Sequence, residues 1–140
     1  METFSTSTRA PVEPKRPVRV LICDDHEVVR EGLRTLLAGR TDMRVVAEAG
    51  TAADAIEAAA RETPDVVIMD VRLPDGSGVE ACRSIREILP STRVIMLTSY
   101  PDDEALYASI IAGASGYLLK QTRARALVEA IETVSRGRAL

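Results

Sequence analysis

The sequence predicts an α/β fold in which an open parallel sheet is covered by helices on both faces. Three observations predict it. Short runs of Val, Ile and Leu, apolar at consecutive positions, alternate with longer stretches that are apolar every three or four residues. Strands buried on both faces show the first pattern and amphipathic helices the second. The alternation is strict and the connections are short, which selects right-handed βαβ crossovers. Finally, 140 residues at 46% hydrophobic and 28% charged content suit one core.

The elements follow in chain order. Residues 1–17 (METFSTSTRAPVEPKRP) combine Ser and Thr with three prolines and few large apolar groups, so they read as a flexible tail. The five strand candidates are 18–23, 44–49, 65–69, 93–97 and 116–119. The first helix shows in Val29, Leu33, Leu36 and Leu37, and the last in Ala124, Leu127, Val128, Ile131 and Val134; both stripes are read as facing the core. Thr51 with Asp54 and Ser77 with Glu80 mark helix starts, each a capping residue with an acid three positions on. Gly39, Gly113 and Gly137 mark stops, and Pro90 ends the helical stretch that reaches Leu89. A fourth helix over 102–112 is expected to turn Leu106 and Ile110 inward. The resulting order is βαβαβαβαβα, with one domain over 18–137 and a linker beginning at 138–140.

Composition excludes several functions. Aromatic content of 3%, with no Trp, leaves no stacking platform for single-stranded nucleic acid. A formal net charge of -3 lacks the basic excess of duplex-binding domains. Cys23 and Cys82 lie in apolar runs and are too few for a disulfide scaffold, so packing roles and a reducing, cytoplasmic setting are expected. No apolar run reaches the ~18 residues of a membrane span.

The chemistry gathers at the carboxyl ends of the strands, where open α/β sheets place their sites. Strand one ends in Asp24-Asp25, strand three in Asp70, strand four in Thr98-Ser99 and strand five in Lys120. Three carboxylates in one crevice repel one another and ask for a cation, so Asp24→Asn is expected to stabilise the metal-free chain. Oxygen donors without a His/Cys cluster point to a hard ion such as Mg²⁺. A carboxylate beside a lysine, a hydroxyl and such an ion suits covalent phosphoryl chemistry. His26 is read as the residue opening helix one rather than as a ligand. Gly76 and Gly78 are read as turn residues, because neither a Walker A sequence nor a Gly-x-Gly-x-x-Gly fingerprint is present.

The stretches VRVLICDDHEVVREGL, PDVVIMDVRLPDGSGVEACRSIR, VIMLTSY and AGASGYLLK resemble the receiver domain of two-component response regulators, in wording closest to the NarL/FixJ (LuxR-type) branch. The resemblance implies a flavodoxin-like sheet of strand order 2-1-3-4-5 with five helices. It implies Asp70 as phosphoacceptor and Mg²⁺ held by Asp24, Asp25, Asp70 and the backbone carbonyl of Arg72. Thr98 becomes the switch hydroxyl, Tyr117 the switch aromatic and Lys120 the phosphate-binding lysine. The implied partners are a sensor histidine kinase, a second copy on activation, and DNA through a C-terminal helix-turn-helix domain that does not occur before Leu140. Two residues depart from the family pattern. Gln121 replaces the usual Pro, which puts a cis bond after Lys120 in doubt, and Ser99 replaces the commoner Ala. Two other functions compete. An aspartate-dependent phosphohydrolase usually carries a second Asp two residues after the first, where this chain has Arg72, and a receiver-like module without phosphate chemistry would not need every chemical position filled.

Overall fold

The computed structural model describes residues 16–100 and 102–137. Most of the expected tail and the expected linker lie outside them. The last two tail residues are described, and Arg16 is not free: its guanidinium pairs with Asp65 at 3.1 Å.

The strands are β1 (Val18–Cys23), β2 (Met43–Ala49), β3 (Val66–Asp70), β4 (Arg72–Leu73), β5 (Gly76–Ser77), β6 (Arg93–Thr98) and β7 (Gly116–Leu119). The helices are α1 (Glu27–Ala38), α2 (Ala52–Glu62), α3 (Gly78–Ile88), α4 (Asp103–Ile111) and α5 (Ala124–Ser135). Five strands form one parallel sheet in the order β2-β1-β3-β6-β7. This is the expected 2-1-3-4-5, with β6 and β7 as its fourth and fifth strands. The small antiparallel ribbon β4–β5 was not foreseen, because two-residue strands leave no periodic signal.

Consecutive apolar residues on the central strands serve two cores. Leu21, Val67, Met69 and Met96 pack under α2, α3 and α4, while Val20, Ile22, Ile68 and Ile95 pack under α1 and α5. Leu127, Val128, Ile131 and Val134 are buried in the second core, as their spacing predicts. The caps hold too. Thr51 Oγ1 accepts the Asp54 N–H at 3.1 Å, and Ser77 Oγ accepts those of Val79 and Glu80 at 3.0 and 3.4 Å. Gly113 (φ 99°) and Gly137 (φ 82°) supply left-handed stops. The described peptide bonds are all trans, that between Lys120 and Gln121 included.

Helix α4 corrects an expectation. Leu106 and Ile110 face solvent with Tyr107 and Ile111, and Ile110 is 61% exposed. The inner face is Ala105, Ala108, Ser109 and Ala112. Buried Ser109 satisfies its hydroxyl on the Ala105 carbonyl at 2.7 Å. Small side chains let the helix lie close to its neighbours, and the large ones are left outside.

Two local features give predictions. Helix α2 ends in Thr63 at φ 44°, ψ 61°, a left-handed residue with a branched side chain. Left-handed backbone costs such residues about 1–2 kcal/mol, partly offset by the greater unfolded-state freedom of glycine. Thr63→Gly should therefore raise stability by about 0.5–1 kcal/mol, read as a higher urea midpoint at unchanged slope. The turn of the β4–β5 ribbon carries Asp75, whose carboxylate accepts the N–H groups of Ala52 and Ala53 at 2.7 and 3.1 Å, at the start of α2. Those bonds hold its carboxyl below the ordinary 3.8. A depressed folded-state value contributes stability that is present above 3.8 and lost as pH falls through the folded value. Asp75→Ala should melt below wild type at pH 6, and the gap should close on acidification below 3.8.

Candidate functional site

The crevice forms where β1, β3, β6 and β7 end together. At the end of β1, Asp24 donates its N–H to the Ala49 carbonyl at 3.0 Å and buries its side chain. Its Oδ1 accepts the His26 N–H at 2.8 Å and lies 2.9 Å from His26 Nδ1, an Asx-type turn that opens α1. Asp25 stands on the rim, with its Oδ1 3.2 Å from the same ring nitrogen. At the end of β3, Asp70 is buried, and its Oδ1 accepts the Arg72 N–H at 3.2 Å.

Lys120, just beyond β7, connects these groups. Its N–H donates to the Thr98 carbonyl at 2.8 Å, and its Nζ reaches Asp24 Oδ2 at 2.7 Å and Asp70 Oδ2 at 2.9 Å. Burial pushes both carboxyls up. At Asp24 Lys120 and the bonds from His26 outweigh burial and hold the group below its ordinary value. At Asp70 burial prevails over Lys120 and the Arg72 N–H, with Asp24 adding to the rise. For Lys120, burial favours the neutral amine, but the two carboxylates win and raise it. This runs against the expectation for Asp24, whose carboxyl is lowered while that of Asp70 is raised; yet the buried Asp24 Oδ2 takes no hydrogen bond and meets only the charge of Lys120. Cys23 is buried and its thiol is pushed up, first by burial and then by Asp24, so it is a packing residue.

The structure thus brings Asp24, Asp25, Asp70 and Lys120 together and adds His26, which the sequence reading set aside. One donor atom from each of Asp24, Asp25, His26 and Asp70 lies within 4.8 Å of the others. The signal was the Asp-Asp-His run itself, since an Asx turn folds the third side chain back over the first. Thr98 lines the crevice of about 430 Å³ beside Asp70 and Lys120, but its hydroxyl is turned to its own loop. It donates to the Tyr100 carbonyl at 3.0 Å and accepts the Tyr100 N–H at 3.2 Å. Tyr117 is half-buried, with its hydroxyl 3.5 Å from the Asp102 carbonyl at the start of α4. Arg72 flanks the crevice through its backbone.

Gly78 is more than a turn residue. It opens α3 directly over Asp70, and a Cβ there would sit 1.7 Å from the Asp70 carbonyl oxygen. No rotamer relieves a clash with backbone. Gly78→Ala should cost about 3 kcal/mol, measured by denaturant unfolding, and should shift the Asp70 amide resonance; a change below about 0.5 kcal/mol would mean that the backbones are not in contact.

A five-stranded parallel sheet with an acid pair, a central aspartate and a lysine at its carboxyl edge defines a receiver-type signalling domain. Residues 20–132 match the response regulator receiver domain, and the chain belongs to that family. It is 46% identical over 123 residues to the DNA-binding transcriptional activator DevR/DosR of Mycobacterium tuberculosis, covering 88% of this chain and 57% of that protein. It is 43% identical over 126 residues to the uncharacterized transcriptional regulatory protein YxjL of Bacillus subtilis, covering 90% and 58%. The chain therefore spans little more than half the length of these relatives. Among solved structures it is similar to a LuxR-family response regulator from Aurantimonas sp. SI85-9A1 (TM-score 0.83, 39% identity, 88% of each chain). It is similar also to the receiver domain of the putative response regulator NarL from Mycobacterium tuberculosis (TM-score 0.84, 33% identity, 88% of this chain and 99% of that one). No helix among the described residues is long and apolar enough to cross a membrane.

Proposed function

We propose that the chain is the receiver, over residues 18–137, of a longer transcriptional regulator. In this reading Asp70 takes a phosphoryl group from a sensor histidine kinase or a small phosphodonor in the cytoplasm. Phosphorylation then changes pairing with a second copy, and a C-terminal DNA-binding domain beyond Leu140 delivers the output. The observation that carries the reading is the Lys120 ammonium within 2.9 Å of Asp70 in a crevice that also holds Asp24 and Asp25.

The donor set fits Mg²⁺. Asp24, Asp25 and Asp70 offer carboxylate oxygens and Arg72 its carbonyl, the hard ligands that such an ion takes. Charge agrees: three carboxylates less one ammonium leave two negative charges, which a divalent ion balances. When bound, the ion would offset charge on the transferring group. The residues do the rest. An Asp70 carboxylate oxygen bonds to phosphorus as the bond from phosphorus to the donor breaks, the electron pair leaving with imidazole nitrogen or acetate oxygen. Lys120 binds a phosphoryl oxygen. Thr98 exchanges its bonds to the Tyr100 backbone for another, and the space it leaves accepts the Tyr117 ring. Helix α4, seated on alanines, is the element most easily displaced.

Acetyl phosphate with Mg²⁺ should label Asp70 alone, mapped by mass spectrometry, and Asp70→Asn or chelation should abolish it. Asp25→Ala should raise the half-saturating Mg²⁺ concentration more than Asp24→Ala, and Thr98→Ala should leave labelling largely intact. Undiminished labelling of Asp70→Asn would defeat the assignment, and wild-type labelling that ignored Mg²⁺ would defeat the metal reading.

A further inference from the structure

Strand β1 ends at Cys23, so the carbonyl of Asp24 has no further ladder partner in the sheet. A buried carbonyl needs a donor. It finds one on the next helix: Arg30 Nη1 donates to it at 2.6 Å, while Arg30 Nε donates to Glu48 Oε1 at 3.3 Å. Arg34 also bonds to Glu48 and holds it in place.

Two details of the chain make this contact possible. The register of β1 with β2 slips by one residue, Val20 pairing with Val45 but Leu21 with Ala47. Met43 and Val45 therefore face the core under α1, and Ala47 and Ala49 face the opposite core. The slip re-aims the strand and sends Glu48 to the α1 side, where Arg30 waits. The second detail is Gly50. A Cβ at that position would lie 3.3 Å from Arg30 Nη1 and 3.9 Å from the Asp24 carbonyl, tight against the guanidinium.

We infer that Arg30 is a positioning residue for the acidic turn: by gripping the Asp24 carbonyl it fixes the peptide plane that aims Asp25 into the crevice, with Glu48 setting the guanidinium. The inference rests on the proposed Mg²⁺ site. Glu48, shared with Arg34, offsets part of the charge of Arg30 beside the cation. Groups that orient ligands without touching the metal are commonly worth about 10–100-fold in affinity.

The test compares wild type with Arg30→Met, Arg30→Lys and Gly50→Ala, using Mg²⁺ alone in calorimetric titration and acetyl phosphate labelling across Mg²⁺ concentrations. Arg30→Met should weaken Mg²⁺ about tenfold. Arg30→Lys, which keeps a donor for the carbonyl but loses the fork to Glu48, should recover part of that loss. Gly50→Ala, which presses on the Arg30 guanidinium but removes no charge, should weaken binding in the same direction. Saturating Mg²⁺ should return every folded variant to near the wild-type labelling rate, a split that general loss of structure would not produce. Failure of wild type to bind Mg²⁺ would overturn the metal site itself. Wild-type affinity in Arg30→Met would overturn the positioning role alone, and if that variant does not fold, unchanged affinity in both Arg30→Lys and Gly50→Ala would do the same.

Discussion

The arrangement of the crevice depends on one ammonium group shared by two buried carboxylates. Asp24 and Asp70 end the neighbouring strands β1 and β3, and strands buried on both faces bring their terminal carboxylates out of water. An unpaired charge there would cost several kcal/mol. Lys120 supplies the countercharge from β7, two strands beyond Asp70, and can do so only because its backbone is bonded to Thr98 on the intervening β6. The strand order is thus part of the electrostatics. Such a bridge adds little net stability over an apolar core, since desolvation consumes most of the attraction. Its consequence is chemical: burial drives both carboxyls up, and at Asp70 the lysine does not overcome the rise.

That same constraint explains what was legible from the residues. Strand β3 is apolar at every position up to Asp70, and β1 and β6 carry unbroken apolar runs over 20–23 and 94–97 just before Asp24 and Thr98, so their identity and the position of the chemistry follow from the pattern. Asp24, Asp70, Thr98 and Lys120 were found because each is the first polar residue after an apolar run, and Asp25 because it follows Asp24 directly. Groups that act from elsewhere were not legible. Arg30 and Glu48 resemble any exposed helical and edge-strand charges, and only the slipped register of β2 brings them together. Asp75 lies in the turn of the β4–β5 ribbon, and its carboxylate seats the start of α2. Gly78 looked like a second turn glycine, although contact with Asp70 is what excludes a side chain there. Each of these depends on a contact between residues far apart in sequence, or on a backbone approach that periodicity does not record.

Helix α4 was misread for a different reason. Its sequence is apolar around most of its circumference, and periodicity then cannot say which face is buried. Hydrophobicity alone would bury Leu106 and Ile110. Geometry decides otherwise, because the helix rests against α3 and β7, where alanines and Ser109 fit. Burying small side chains leaves α4 with less apolar area in the core than its composition offers, and therefore with a weaker hold on the sheet.

The polar attachments of α4 are unequal as well. At its C-terminal end, Arg86 Nε donates to the Gly113 carbonyl at 3.1 Å while its Nη1 donates to Thr92 at 2.7 Å. This is a charged, half-buried side chain tying three segments. At its N-terminal end the Tyr117 hydroxyl meets the Asp102 carbonyl at 3.5 Å, the outer limit of a hydrogen bond. Loosening the first end breaks a charge-assisted network; loosening the second breaks one long neutral contact. The weaker attachment is the one beside the crevice, one strand from Thr98. A displacement that begins at Thr98 and Tyr117 therefore meets the least resistance at the start of α4, and the helix presents Tyr107, Ile110 and Ile111 to solvent along the face such a movement would reorient.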